Sequence, residues 1–234
     1  MTEDRRLAAW FAQVSTDLLG GATEDLTFEA VVRRAVEIVP GCDLASVTLR
    51  KRRGRAETVA ATDASVERLD AIQYALGEGP CLDAAFESEN MVVPFVATET
   101  RWPRWAGSAH EHGLGSVVAI RLHTTDETLG ALNLYSRTPG AFDAEAVDIA
   151  LIFAAHATDA MSKARLVSGL QGALESRHTI GIAQGVLAIR YDISYERAFE
   201  VLHRFSNDRN LKLRDVAAQV VEARGLPAEE LDPT

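Results

Sequence analysis

Apolar residues recur every three or four positions over residues 3–20, where Leu7, Trp10, Phe11, Val14 and Leu18 share one face, and again from Leu26 to Val39. Gly20-Gly21 and Pro40-Gly41 stop these two predicted helices. The period then falls to two. Asp43–Arg50 alternates as a half-buried strand, Lys51-Arg52-Arg53-Gly54-Arg55 makes a turn, and Glu57–Thr62 returns as its hairpin partner. Ser65–Leu76 reads as a helix, and a second short helix follows Gly77-Glu78-Gly79-Pro80-Cys81 to about Glu87. Met91-Val92-Val93 is a strand, and a long loop holds Thr100-Arg101-Trp102-Pro103-Arg104-Trp105. Ser116–Leu122 and Leu129–Tyr135 are further strands around a turn at Thr124–Glu127. Strands broken by helices, with an antiparallel hairpin at each end, predict an α+β domain with a central antiparallel sheet.

From Phe142 to Leu174 the pattern is helical almost throughout. Val147, Ala150, Ala154, Ala157, Met161 and Ala164 fall at spacings of three and four, and Phe153, Ala160, Val167 and Leu174 form a seven-residue series beside them. One face of such a helix suits its own sheet and the other a second copy. The alternative is a single amphipathic helix covering its own domain. Ser176–Gly225 then parses into three short helices. The first carries Ile180, Ala183, Val186 and Leu187 and closes at Tyr191-Asp192; Ser194 caps the second, with Ala198, Val201, Leu202 and Phe205 inward. Ser206–Asn210 ends it, and the third runs from about Leu213 to a stop at Gly225 and Pro227. Fifty residues bury little core alone, so added burial from a neighbour or a second copy, hence a homodimer, is expected.

Charge changes this picture in one place. The 234 residues carry a net −10, yet from Arg165 to Gly225 nine Lys and Arg face seven Asp and Glu, a net +2, which leaves −12 for the remainder. Any nucleic-acid contact is therefore confined to a patch. The basic run at Lys51–Arg55 reads as a solvated hairpin tip. No stretch of 18 apolar residues is present, and MTEDRRLAAW lacks the basic-then-apolar order of a signal peptide, which predicts a cytoplasmic protein. Cys42 and Cys81 are too few for a disulfide framework.

No catalytic constellation is evident: no phosphate-cradling Lys-Ser/Thr loop, no metal-spaced His-Glu helix and no Cys-x-x-Cys. The chain is read as no enzyme, with no cofactor and no metal. His110-x-His112, placed in a loop, lacks two further ligands and reads as polar surface. Cys81 follows Gly-Pro near a helix start, where unpaired N–H groups favour a thiolate, so redox sensing stands against the blander reading of a small buried residue. Trp102 and Trp105 either line a ligand pocket or cap the core.

The C-terminal quarter resembles the ANTAR domain, an RNA-binding module of transcription antitermination regulators. The resemblance rests on Ala173-Leu174, Ser176-Arg177, Ile180-x-x-Ala183-x-Gly185-Val186-Leu187, Ser194, Ala198-Phe199, Leu202, Ser206, Asn210, Leu213 and Asp215-Val216-Ala217. Gln184 and Ala188 stand where that family usually has Lys and Met. Residues 24–160 resemble the sensory GAF domain, on Gly77–Cys81, Arg101-Trp102-Pro103, Gly113 with Ser116, and Gly130–Tyr135, in the variety found beside ANTAR domains in actinobacteria. The implied plan is an N-terminal helix (1–23), a GAF domain (24–160) whose sheet floors a pocket for an unknown ligand, a linking helix (161–175), an all-α three-helix ANTAR domain (176–225) and an acidic tail (226–234).

The resemblance implies a signal-responsive antitermination regulator that binds stem-loops in nascent transcripts. Such a reader needs cations for phosphates and polar or aromatic groups for loop bases. Arg190, Ser194, Tyr195, Arg197, Arg204, Asn210, Lys212 and Arg214 are the candidates, with Arg190 expected near Ser194 and Arg197; Cys81, Trp102 and Trp105 are the sensor candidates. The competing reading is a GAF-fold methionine sulfoxide reductase using Cys81 with Cys42 as resolver, which leaves the terminal helices without a role. A DNA-binding helix-turn-helix fits the Tyr191-Asp192-Ile193 turn poorly.

Overall fold

The computed structural model describes residues 23–87 and 90–226, so the helix predicted over residues 3–20 and the tail beyond Leu226 lie outside the described residues. The chain divides into two compact units, Met1–Leu166 and Val167–Thr234.

In the first unit, helix α1 (Glu24–Ile38) starts where Thr23 accepts a hydrogen bond from the Leu26 N–H, and Glu24 and Asp25 suit the positive end of the helix dipole. Strands β1 (Leu44–Arg50) and β2 (Ala56–Ala61) form the predicted hairpin. Helices α2 (Ala64–Leu76) and α3 (Pro80–Phe86), strand β3 (Met91–Val93), helix α4 (Pro103–Glu111) and strands β4 (Ser116–His123) and β5 (Thr128–Ser136) follow. The five strands are antiparallel in the order β2-β1-β5-β4-β3.

Register sorts the sheet's two faces. Val47 pairs with Leu132 and Leu132 with Ile120; all three point to the side covered by α1 and helix α5 (Ala144–Tyr191), with Phe28, Val31, Phe153 and Met161. One residue further on, the pleat turns Ala131, Tyr135, Val117 and Ala119 to the opposite side, under α2, α3 and α4. At Gly130 the β5 backbone lies close against β1: a Cβ there would sit 1.8 Å from the Thr48 carbonyl oxygen, so only glycine fits.

Helix α4 replaces most of the long loop expected around Trp102. Pro103 sits in its first turn, where a missing N–H costs nothing, and Trp105, Ala106 and Ala109 bury one face. His110 is therefore helical rather than on a loop.

Helix α5 joins what the sequence divided in two, since the linking helix and the first helix of the terminal module are one element of 48 residues. Its early turns belong to the sheet. Ala150, Ala154, Ala157 and Met161, the expected seam, are buried there, and so are Phe153 and Ala160 of the second series. The single-helix alternative thus holds for this half. Leu166, Val167, Leu170 and Leu174 stay exposed. Gly169 and Gly172 lie among them, with open space where a Cβ would be.

In the second unit, the end of α5 packs with helices α6 (Tyr195–Asp208) and α7 (Leu213–Ala223) around Ala183, Leu187, Ala198, Leu202, Val216, Ala217 and Val220. Ser194 caps α6, accepting from the Arg197 N–H at 3.1 Å. The left-handed residue that ends α7 is Arg224, with φ 52°, rather than Gly225.

Candidate functional site

The first unit holds a buried polar network between its sheet and α2. Asp70 is fully buried and accepts from Ser46 Oγ at 2.7 Å, Thr58 Oγ1 at 2.9 Å and the Tyr135 hydroxyl. Asn133 donates to Ser46 and Thr48, and Thr48 and Thr58 both bond the Tyr74 hydroxyl. Burial pushes the Asp70 carboxyl up to about 6, against the pull of its three donors. The same burial raises the Tyr74 and Tyr135 hydroxyls.

Cys81 belongs to this network. Its N–H donates to Gln73 Oε1, Gln73 Nε2 donates to its sulfur, and the sulfur lies 3.2 Å from the Tyr135 hydroxyl. The thiolate that its place in the first turn of α3 would favour is opposed. The residue is completely buried, and desolvation, with Asp70 beside it, raises the thiol well above its ordinary value. Burial likewise pushes Cys42 up to about 12. Cys42 packs with α1 and Cys81 with α3, on opposite faces of the sheet, so the two do not form a nucleophile and resolver pair.

Trp102 and Trp105 are both buried, edge to face at 6.1 Å, and Trp102 Nε1 donates to Asp83. They hold α4 on the sheet. Arg101 stacks on Trp102 and pairs with Glu99, and Glu78 accepts from the Arg104 and Trp105 N–H groups. Two cavities lie nearby. One of about 580 Å³ is mainly apolar, between Phe95, Val96, His110, Leu114 and Pro139, with Arg137 at its lining. Another, about 490 Å³, is lined by Tyr74, Asp83 and Phe86, so that Tyr74 connects it to the Asp70 network. Neither was legible as a site: Phe95 and Leu114 come from segments with no periodicity. Among the described residues no His, Cys, Asp or Glu cluster is placed to hold a metal.

The second unit sorts the eight RNA candidates by what they touch. Arg190 donates from Nη1 to the Arg224 carbonyl at 3.0 Å and fills the space left by Gly225, so it ties α5 to the end of α7. Tyr195 donates to the Gly181 carbonyl across Gly185, and Gln184, the departure from the family pattern, bonds the Tyr195 carbonyl. Arg197 pairs with Glu200 at 2.5 Å and Arg214 with Asp215 at 3.2 Å. Asn210 adopts φ 52° in the turn before α7. The side chains of Arg204 and Lys212 are exposed and make no hydrogen bond or ion pair among the described residues.

Sequence reasoning missed Phe199 and His203. They stack one turn apart on the outward face of α6, 6.2 Å between centroids and tilted by 31°, beside Arg204 and Asn207 in a groove of about 460 Å³. The signal was there. Phe199 sits one place after the inward Ala198, where a polar side chain is expected on a helix with a narrow apolar stripe.

The two units therefore define a sheet-bearing domain and a small helical one sharing a single helix. A family model for the GAF domain matches residues 21–162, more than half of the chain, and one for the ANTAR domain matches residues 168–221. The chain belongs to the GAF domain family and carries an ANTAR domain, joining a sensory module to an RNA-binding regulatory one. The GAF domain of a phosphoenolpyruvate-protein phosphotransferase from Coxiella burnetii is similar at TM-score 0.56 and 16% identity, over 72% of this chain and 99% of that one. That of the Acinetobacter phosphoenolpyruvate-protein phosphotransferase gives 0.54 and 13% over 72% and 99%. A free methionine-R-sulfoxide reductase from Thermoplasma acidophilum, 16% identical over 60% and 93%, reaches only 0.48, too loose to argue from. At these identities the likeness is one of fold. No curated protein matches the chain, and no described helix is long and apolar enough to cross a membrane.

Proposed function

We propose that this chain is a cytoplasmic transcription antitermination regulator whose ANTAR domain binds a stem-loop in nascent RNA under control of its GAF domain. The observation that carries the reading is the pairing of the two domains on one helix, Ala144–Tyr191. The RNA surface is the outward side of α6 and the start of α7. Arg204 and Lys212 supply uncommitted charge for phosphates, and the Phe199–His203 stack offers a flat face to an unpaired base. Arg190 acts as a structural tie, and Ser194 as a cap. The GAF signal is a small molecule, because Cys81 is sealed from solvent oxidants; the apolar cavity at Phe95 and Leu114 is the place for it.

The second copy belongs to the same reading. Val167, Leu170 and Leu174 are spaced three and four apart and 49–66% exposed, a short self-complementary seam for a parallel partner helix. The test is a salt titration of stem-loop RNA binding by the full chain, with matched melting curves. Arg204→Ala with Lys212→Ala should weaken binding at least tenfold and lower the salt slope by about one for each lost phosphate contact. Unchanged affinity and slope in a folded double variant would put the RNA on another face.

A further inference from the structure

The end of β1 and the β4–β5 turn frame a cleft of about 550 Å³. Arg50 and Lys51 reach it from the end of β1, Arg121 from β4, Asp126 and Glu127 from the β4–β5 turn, and Arg165 from α5. Strand pairing explains why they meet. Leu49 and Leu122 both lie opposite Gly130 on β5, so the neighbouring Arg50 and Arg121 come from strands that flank the same point of the middle strand.

What stands out is how the four cations are partnered. Lys51 pairs with Glu57 at 2.9 Å. Arg121 is held by a neutral group: its Nε and Nη2 both donate to the Thr128 hydroxyl, Nε at 3.0 Å. The Arg50 guanidinium lies 5.1 Å from the centre of the Phe86 ring. The Arg165 side chain makes no hydrogen bond or ion pair among the described residues. Three arginines thus line one cleft without a carboxylate partner among the described residues, although Asp126 and Glu127 line it too and the chain as a whole carries ten more acids than bases. In an acidic protein, convergent guanidinium groups repel one another, and an anion removes that repulsion. A guanidinium fork binds the oxygens of a phosphate bidentately, as it does those of a carboxylate, and several such forks together suit a multiply charged anion.

We propose that this cleft is a binding site for a small anion bearing a diphosphate group, held by Arg50, Arg121 and Arg165. Thr128 positions the Arg121 fork, and the volume exceeds what a diphosphate alone fills. Asp126 and Glu127 accept hydrogen bonds from hydroxyl or amino groups of whatever carries the phosphates. Because Arg165 is on α5, an occupied site links that helix to the strand ends. The site stands independently of where the RNA binds.

Isothermal titration of the full chain with inorganic pyrophosphate, at constant ionic strength set with sodium chloride, tests it. A second arm uses adenosine diphosphate, and tighter binding in that arm identifies a diphosphate carried on a larger molecule. The wild-type chain should bind at least one of the two saturably, and Arg165→Gln and Arg50→Gln should each weaken binding tenfold or more while melting as wild type without ligand. Heats that match a chloride control in both arms would overturn the proposal. So would undiminished binding in the Arg50→Gln/Arg165→Gln double variant. Loss of stem-loop RNA affinity in these variants, with no diphosphate binding by the wild type, would assign the cleft to the RNA path and refute the site proposed here.

Discussion

Replacing Asp70 with Asn should change how the stability of the sheet-bearing unit depends on pH. In the folded chain burial lifts the Asp70 carboxyl from its ordinary 3.8 to about 6, and no cation among the described residues pairs with it. The folded state therefore holds this proton more tightly than the unfolded state, and between those two values it binds more protons. Stability from this group is complete below about pH 4 and is lost as the pH rises through about 6. Each tenfold difference in proton affinity is worth about 1.36 kcal/mol, so the loss comes to about 3 kcal/mol. Other titrating groups are common to both chains and cancel in the difference. Tryptophan emission suits the assay, because Trp102 and Trp105 sit in this unit's core and no tryptophan follows Trp105. In urea unfolding from pH 4 to pH 8, the stability of wild type minus that of Asp70→Asn should fall by about 2.5 kcal/mol, most of it before pH 7. A difference that stays flat, or that rises with pH, would refute a proton held by burial.

Three further outcomes follow from packing. Val167→Glu with Leu170→Glu should yield one-chain particles in sedimentation, whereas a wild-type mass of one chain at micromolar concentration would remove the dimer. Leu202→Ala should cost about 2–5 kcal/mol, because among the described residues three of the seven buried apolar side chains of the second unit's core are alanines and Leu202 is one of two leucines there; circular dichroism on melting reads it. Gly130→Ala should destabilise the first unit by several kcal/mol, since β5 cannot keep its distance from Thr48 with a Cβ between them, and a wild-type melting temperature would contradict this.

The sequence was most informative where one period ran unbroken. Val47, Ile120 and Leu132 alternate with residues of the other face, and α1, α6 and α7 announce themselves by apolar stripes and caps. Helix α4 was lost because Trp-Pro-Arg-Trp looks like a turn until Trp105 and Ala109 are seen to share a buried face. The Asp70 network was hidden for a different reason. Ser46, Thr58, Asp70 and Tyr135 are up to 89 residues apart in the chain, and polar residues on a strand face or helix read as solvent-facing until the layer above them is known. Cys81 shows how competing effects are decided by depth: a helix start favours the thiolate, complete burial opposes it, and burial wins. Arg190 was assigned to RNA because it is a cation at a helix end, and only its contact with the Arg224 carbonyl reveals the tie.

Gly169 and Gly172 give the longest helix a soft centre. Neither faces a neighbour that would require glycine, and each makes the helical state about 1 kcal/mol less favourable than alanine would. Together they raise the open population of that stretch roughly 30-fold over an alanine version. The flanking turns are clamped, on one side by Phe153 and Met161 and on the other by Ala183 and Leu187. Heat or denaturant should therefore melt α5 from the middle outwards, against the usual fraying from the ends, and amide exchange should be fastest near residues 168–174. A partner helix lying along Val167, Leu170 and Leu174 would act as a splint, so exchange at those amides should slow as protein concentration rises.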